Sequence, residues 1–256
     1  MPRTRRTTQA VDLSFSFFGQ LLDFYKQNRR SIRTHYRELS KKFLDYNDPS
    51  NSNSFLRIPQ FEALEMYIFL KEYLGNARIH EVFRQWADKT GPFGDRTASE
   101  RAGQIQLDVL QEISRAQYES LYSRMQGSAR AYPNYIFALT MGTGKTILMA
   151  TCIFYEFILA NKFPKDEKYC HNALVFAPDK TVLQSLREIQ TFDMTRVVPP
   201  EYVNFLSTHL KFHFLEESGA ALSVIDQSRF NIIRPLARIN KRLRAARLAR
   251  SYGCQQ

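Results

Sequence analysis

The chain contains 256 residues, of which 44% are hydrophobic and 24% charged, so it is long and apolar enough to bury a core. Ten glycines and ten prolines exclude a collagen-like or low-complexity chain. No apolar run reaches the roughly 18 residues that a membrane span requires, and polar residues interrupt the basic start too early for a signal peptide. Three cysteines without metal-like or disulfide-like spacing suit a reducing compartment, so we expect a cytoplasmic protein that does not act at a membrane.

The net charge of +11 is concentrated at the two ends of the chain. Seven basic residues and no acidic residue lie between residues 234 and 250, and Arg3, Arg5 and Arg6 lie near the start. Only +1 of the net charge therefore belongs to the rest of the chain. This distribution predicts contact with a polyanion such as DNA through the ends rather than through the folded body.

The first half of the chain is predicted to be mainly helical. Apolar residues recur at three- and four-residue steps from residue 13 to 46, and the turn formers of Asn47–Ser54 then end this region. A second helix is expected to begin near Pro59, because proline suits a first helical turn, and to run to Gly75. Further helices are predicted at Ile79–Trp86 and Ile105–Met125, with a loop at Thr90–Gly94 between them.

The second half alternates short apolar runs with helical spacing, which predicts a parallel sheet with helical crossovers. The helices are expected at Lys145–Ala160, which is apolar on nearly every face, and at Lys180–Phe192. The predicted strands are Asn134–Leu139, Ala173–Ala177, Leu210–Leu215 and a strand that begins at Asn231–Ile233.

The sharpest motif is the run Gly142-Thr143-Gly144-Lys145-Thr146, which is placed between a predicted strand and a predicted helix. Glycines let backbone N–H groups turn towards a phosphate, and the helix N-terminus adds a partial positive charge there. In such a loop the lysine reaches the β- and γ-phosphates and the threonine hydroxyl binds Mg²⁺. The motif predicts a nucleotide site.

The run from Leu139 to Thr146 resembles the first motif of superfamily-two, DEAD/DEAH-type helicases and translocases, in which the glycine that Leu139 replaces is commonly missing. Within that group the chain looks most like the restriction (Res) subunit of type III restriction enzymes. The resemblance implies a RecA-like sheet, ATP and Mg²⁺ as cofactors, DNA as a partner and a modification methyltransferase subunit as a further one. The activity it implies is ATP-dependent DNA translocation or unwinding that serves an endonuclease.

The segment from Arg57 to Leu64 resembles the glutamine motif of the same family, which implies that Gln60 reads the adenine edge. A glutamine amide has both the donor and the acceptor that adenine requires. Gln60 lies 85 positions before Lys145, which is further than usual, so residues 76–133 are expected to form a largely helical insertion. The alternative for Gln60 is a solvent-facing residue of a helix.

The segment from Val175 to Leu183 resembles the next family motif, which implies that Pro178 and Lys180 contact the DNA backbone. An ordinary strand-to-helix turn is the alternative for these two residues.

The family also has an acidic, metal-binding motif on a later strand, because phosphoryl transfer needs a carboxylate near Mg²⁺ and water. Asp166-Glu167 and Glu216-Glu217 do not end an apolar strand at the expected place, and a second RecA-like lobe is missing. We therefore expect no catalytic residues in this chain and a motor truncated before them. The Arg/Ala/Leu-rich tail after Ile233 is expected to be out of frame, although a basic helix that binds nucleic acid or a solvated tail are alternatives.

Together these observations predict an α/β fold: a partial RecA-like P-loop parallel sheet preceded by a mostly helical N-terminal region. The expected parts are a helical region at 1–54, the glutamine-motif helix with its insertion at 55–133, an ATP-binding domain at 134–233 and a basic tail at 234–256. Two other functions remain open at this point, namely a non-catalytic nucleic-acid-binding module and an inactive remnant.

Overall fold

The structure is a computed structural model, and it describes part of the chain. The described residues are 13–52, 54–94, 115–175, 188–214 and 230–234. Their helices are α1 (Leu13–Thr34), α2 (Glu38–Asn47), α3 (Ile58–Ile68), α4 (Ile79–Ala87), α5 (Arg115–Gly127), α6 (Lys145–Lys162) and α7 (Pro200–His209). Their strands are β1 (Asn172–Leu174), β2 (Leu210–Phe214) and β3 (Phe230–Arg234).

The chain divides into two compact units, and each unit is built from two separate stretches of chain. The helical unit comprises Met1–Arg37 and Met66–Ala138, and the sheet unit comprises Glu38–Glu65 and Leu139–Gln256. The stretch that contains α2 and most of α3 therefore belongs to the same unit as the Gly-Thr-Gly-Lys-Thr motif.

Most of the predicted helices are confirmed. The helical region from 13 to 46 forms α1 and α2, and α3 begins at Ile58, one residue before Pro59. α3 continues as a π-helical turn at Phe69–Tyr73, and Gly75 with φ +65° follows this turn. α4 and α6 match their predicted ranges within two residues. Of the long helix predicted at 105–125, residues 105–114 lie outside the described part, and the remainder lies in α5.

An aromatic cluster forms the core of the helical unit. Phe17 of α1 meets Phe83 and Trp86 of α4 with ring centroids 5.2 and 5.4 Å apart, and Phe83 stacks on Tyr118 of α5 at 5.3 Å. Phe17, Phe83 and Trp86 are all buried. Edge-to-face and offset aromatic pairs of this kind add about 0.5–1.5 kcal/mol beyond the area they bury. The three helices are therefore fixed to one another by their aromatic faces.

The sheet unit contains a three-stranded parallel sheet in the order β1-β3-β2. Asn172 pairs with Asn231 in one ladder, and Leu210 pairs with Phe230 in the other. The last strand in sequence is thus the central one. A mixed helix-and-sheet fold with a parallel sheet is confirmed, and the described part of the chain is mostly helical.

Two helices pack on the same residue of the central strand. Phe230 lies 5.1 Å from Phe157 of α6 and 5.4 Å from Phe205 of α7, measured between ring centroids. Phe157 is fully buried, as is nearly all of α6 from Phe154 to Ala160. This burial agrees with the apolar character of α6 on nearly every face.

The buried strand predicted at Asn134–Leu139 is wrong. Residues 133–140 belong to no helix or strand, and Ile136 is 93% exposed. The central strand β3 is already paired on both sides, so a further strand finds free ladder groups only at the outer edges of β1 and β2. The Tyr135 hydroxyl instead donates to the carbonyl of Ala77, at 3.2 Å, within the helical unit.

The other predicted strands are confirmed where the structure describes them: β2 and β3 match their runs, and β1 covers the start of Ala173–Ala177. Residues 176–187 lie outside the described part, so only the end of the helix predicted at Lys180–Phe192 is seen, as helical residues 188–191. Within the described residues, no helix combines the length and apolarity that crossing a membrane demands.

Candidate functional site

The Gly-Thr-Gly-Lys-Thr motif forms a tight loop that leads directly into α6. Gly142 and Gly144 have φ values of +75° and +73°, a region that glycine enters without the steric cost a Cβ carries. α6 begins at Lys145, and its first intrahelical bond runs from the Leu148 N–H to the Gly144 carbonyl at 3.1 Å. The residue types of the motif therefore account for the shape of the loop.

The polar side chains of the loop converge on one carbonyl. The Thr143 hydroxyl donates to the carbonyl of Thr140 at 2.7 Å, and the Lys145 ammonium donates to the same oxygen at 2.6 Å. Lys145 is exposed, and Thr146 is half-buried on the first turn of α6. The Lys145 ammonium thus bonds to a neutral carbonyl of its own loop, and it is exposed to solvent.

Gln60 of α3 is brought to this loop although it lies far from it in sequence. Its side chain is 3% exposed, so the alternative of a solvent-facing residue is wrong. Its Nε2 donates to the Gly144 carbonyl at 3.0 Å, and its Oε1 accepts from the Arg57 N–H at 2.8 Å. Both ends of the amide are therefore engaged with backbone groups, and its role towards adenine stays a prediction.

Two residues at the site were missed by sequence reasoning. The Arg57 Nη1 donates to the Gly142 carbonyl at 3.3 Å, so the start of α3 contacts both glycines of the motif. Thr140 supplies the carbonyl that gathers Thr143 and Lys145. Arg57 stands three positions before Gln60, a spacing at which an N-terminal helix residue commonly bonds back to the backbone, and that pattern was the available signal.

Most of the other residues that the sequence singled out are not part of the described structure. Pro178 and Lys180 lie outside the described residues, as do Glu216 and Glu217. Asp166 and Glu167 lie in the turns after α6, where Asp166 accepts from the Lys168 N–H at 3.1 Å and pairs with its ammonium at 3.8 Å. Neither acid ends a strand, as the sequence indicated.

The residues present fit a phosphate group. A Cβ placed on Gly142 would meet nothing within 4 Å, so that face of the loop is open. The first N–H groups of α6 have no acceptor within the helix, and they carry the positive end of its dipole. Backbone donors, a helix N-terminus and an exposed ammonium are the groups that bind a triphosphate.

Mg²⁺ is compatible with the same place. This ion keeps several waters and binds through one or two protein oxygens together with the phosphates of a substrate. The Thr146 hydroxyl, one residue after Lys145, is an oxygen of the required type. In the part of the chain that the structure describes, His, Cys, Asp and Glu do not gather into a group of three or more that could hold a metal.

Compared with protein-family models, with curated proteins and with solved structures, the chain matches none of them. The features that bear on its function are the geometry of the loop, the contacts of Gln60 and the motif resemblance. Among these, the loop and its contacts are features of this chain itself.

Proposed function

We propose that the chain binds ATP with Mg²⁺ at the loop formed by residues 140–146. The observation that carries this proposal is the loop itself, in which two positive-φ glycines lead into a buried 18-residue helix beside an exposed lysine. Thr143, Gly144 and Lys145 present backbone donors, the Lys145 side chain supplies the positive charge and Thr146 the oxygen for the metal. The triphosphate supplies the negative charge that these groups lack.

Lys145 has a specific part in the proposed site. Its ammonium donates to the neutral carbonyl of Thr140 at 2.6 Å. A phosphate oxygen carries negative charge, so its Coulomb attraction for the ammonium adds to the hydrogen bond, whereas the carbonyl offers only a dipole. The ammonium is therefore expected to leave the carbonyl for the β- and γ-phosphates when a nucleotide binds.

The wider function that we propose is that of the ATP-binding part of a DNA helicase or translocase of a type III restriction system. The motif resemblances around Gln60, Lys145 and Val175 support it, and the parallel sheet is compatible with the RecA-like fold that they imply. DNA and a modification methyltransferase subunit are the partners that belong to this proposal. For this chain we limit the proposal to the binding of the nucleotide.

The substitution Lys145→Ala tests the proposed site. Because hydrogen bonds to charged groups contribute about 1.5–3 kcal/mol, we expect the affinity for Mg-ATP to fall about ten- to hundredfold or more in isothermal titration calorimetry. Lys162→Ala is the matched control, because Lys162 is an exposed lysine at the opposite end of the same helix. Unchanged affinity in Lys145→Ala, or an equal loss in Lys162→Ala, would contradict the proposal.

A further inference from the structure

The start of α3 holds the carbonyls of both glycines of the loop. Gln60 Nε2 donates to the Gly144 oxygen at 3.0 Å, and Arg57 Nη1 donates to the Gly142 oxygen at 3.3 Å. Gln60 Oε1 in turn accepts from the Arg57 N–H at 2.8 Å, so the two side chains are linked to one another through the backbone. These contacts all lie within the sheet unit.

A hydrogen bond that fixes the direction of a carbonyl also fixes the direction of the N–H group of the next residue, because both belong to one peptide plane. In a trans peptide the C=O and the N–H of the same plane point in opposite directions. With the Gly142 and Gly144 oxygens turned towards α3, the N–H groups of Thr143 and Lys145 point away from it. Those are two of the backbone donors that the proposed phosphate site needs.

The fit between Gln60 and Gly144 is close. A Cβ on residue 144 would lie 2.5 Å from Gln60 Nε2, so an alanine there displaces the amide as well as straining a φ of +73°. At Gly142 the φ is nearly the same, but a Cβ would meet nothing within 4 Å. The two glycines thus share their backbone conformation and differ in their contact with Gln60.

We propose that Gln60 is a positioning residue, which fixes the peptide planes of the loop so that its donors face the triphosphate. This inference rests on the proposed function, because it assigns a role at the same site. Each end of the buried amide already has a backbone partner, so the role that we assign keeps those two bonds and requires no contact with the base. Gln60 therefore increases the affinity for any nucleoside triphosphate, and for inorganic tripolyphosphate, by the same factor, whatever the base.

The test uses the full chain with the substitution Gln60→Met, which keeps the length of the side chain and removes both polar atoms. Affinities for Mg-ATP, Mg-GTP and Mg-tripolyphosphate are measured by calorimetry. We expect all three to weaken by the same factor, about three- to tenfold, as loss of one loop-ordering hydrogen bond predicts. Ser40→Ala is the control for a general loss of stability. It removes a hydroxyl that lies 3.0 Å from the buried Tyr155 hydroxyl in the same unit, and this contact does not involve the loop.

The outcomes separate the two roles of Gln60. A loss confined to ATP would overturn the inference and show that Gln60 reads adenine, and unchanged affinity for all three ligands would overturn it as well. If the unsubstituted chain binds none of the three, the proposed function itself fails and the inference fails with it. If the unsubstituted chain binds these ligands and Gln60→Met binds them equally well, the inference fails and the proposed function stands.

A double-mutant cycle gives a second, independent readout. Gly144→Ala is measured in the original chain and in a Gln60→Ala background, where the amide that the new Cβ would strike is gone. We expect the loss of tripolyphosphate affinity caused by Gly144→Ala to be at least threefold smaller in that background. Gly142→Ala is the matched control and should cost the same in both backgrounds, because its Cβ meets no atom. Additive losses for Gly144→Ala and Gln60→Ala would overturn the inference.

Discussion

Tyr135 is a phenol whose environment favours its neutral form. Burial raises its pKa from 10.0 to about 12. Its single hydroxyl hydrogen is shared between two acceptors, the Ala77 carbonyl at 3.2 Å and Asn76 Oδ1 at 3.4 Å, and the phenolate lacks this hydrogen. The protonated phenol therefore helps to fix Tyr135 to the turn before α4.

The raised pKa has a definite consequence at high pH. A group whose pKa is higher in the folded chain contributes stability in full below its unfolded pKa, here about 10, and loses that stability as the pH rises through about 12. We predict that the difference in tyrosinate absorbance between the original chain and Tyr135→Phe titrates near pH 12. Tyr132→Phe, at an exposed neighbour, controls for the loss of one phenol. A difference titration near pH 10 would contradict the prediction.

The contacts of Gln60 and Arg57 with the glycine carbonyls of the loop could not be predicted from local sequence. Gln60 and Gly144 stand 84 positions apart, and nothing near either residue indicates the other. The motif resemblance marked Gln60 as important, but it implied contact with a base. The backbone partners of its amide follow from the packing of α3 against the loop, which is a tertiary property.

At the scale of elements, the segment around Ile136 has the composition of a buried strand and the exposure of a loop. We predict that Ile136→Ala changes the free energy of unfolding by less than about 0.5 kcal/mol, because its side chain is 93% exposed. Ile158→Ala in α6 makes the same chemical change at a residue that is 1% exposed, and it should cost about 2–5 kcal/mol.

Urea unfolding followed by circular dichroism gives both values. Because the two substitutions remove the same atoms, the difference between them isolates burial. A cost above about 2 kcal/mol for Ile136→Ala would mean that residues 134–139 are covered in solution, as a buried strand would be. Equal costs at the two positions would contradict the prediction.

Helices were more predictable than strand pairing for a physical reason. The spacing of apolar residues along α1 or α4 is a local property, since a helix forms its hydrogen bonds within itself. A strand forms its hydrogen bonds with a neighbouring strand, and the sequence of an apolar run such as Asn134–Leu139 does not show whether the edge of a sheet is available to it. The order β1-β3-β2 places the last strand in the middle and uses both of its edges. The composition of the runs predicted β2 and β3 but not this arrangement.

At the scale of the whole molecule, the sheet unit depends on a stretch of chain that precedes most of the helical unit. Residues 38–65 supply α2 and the start of α3, and they contact the later stretch through buried polar groups as well as through the loop. Asn47 Nδ2 donates to the Val197 carbonyl at 2.8 Å, and Ser40 Oγ lies 3.0 Å from Tyr155 Oη. Phe43 of α2 and Tyr155 of α6 meet with ring centroids 5.4 Å apart.

We therefore predict that a fragment of residues 139–256 does not unfold cooperatively and does not bind Mg-ATP. Without α2 and α3, Tyr155 loses its contacts with Ser40 and Phe43, and the apolar surface that these helices cover is exposed to water. The matched control joins residues 38–65 to residue 139 through a Gly/Ser linker of about 20 residues, whose mean span is about 25 Å. This fusion contains the two stretches of the sheet unit and no part of the helical unit.

Thermal unfolding and calorimetry on the two proteins decide between the alternatives. A sharp transition and nucleotide binding in the fusion, with neither in the fragment, would show that α2 and α3 are integral to the nucleotide-binding unit. Cooperative unfolding of the shorter fragment would contradict the prediction, because α6 and the sheet would then be sufficient. The comparison also bears on Gln60, since only the fusion retains the side chain that holds the Gly144 carbonyl.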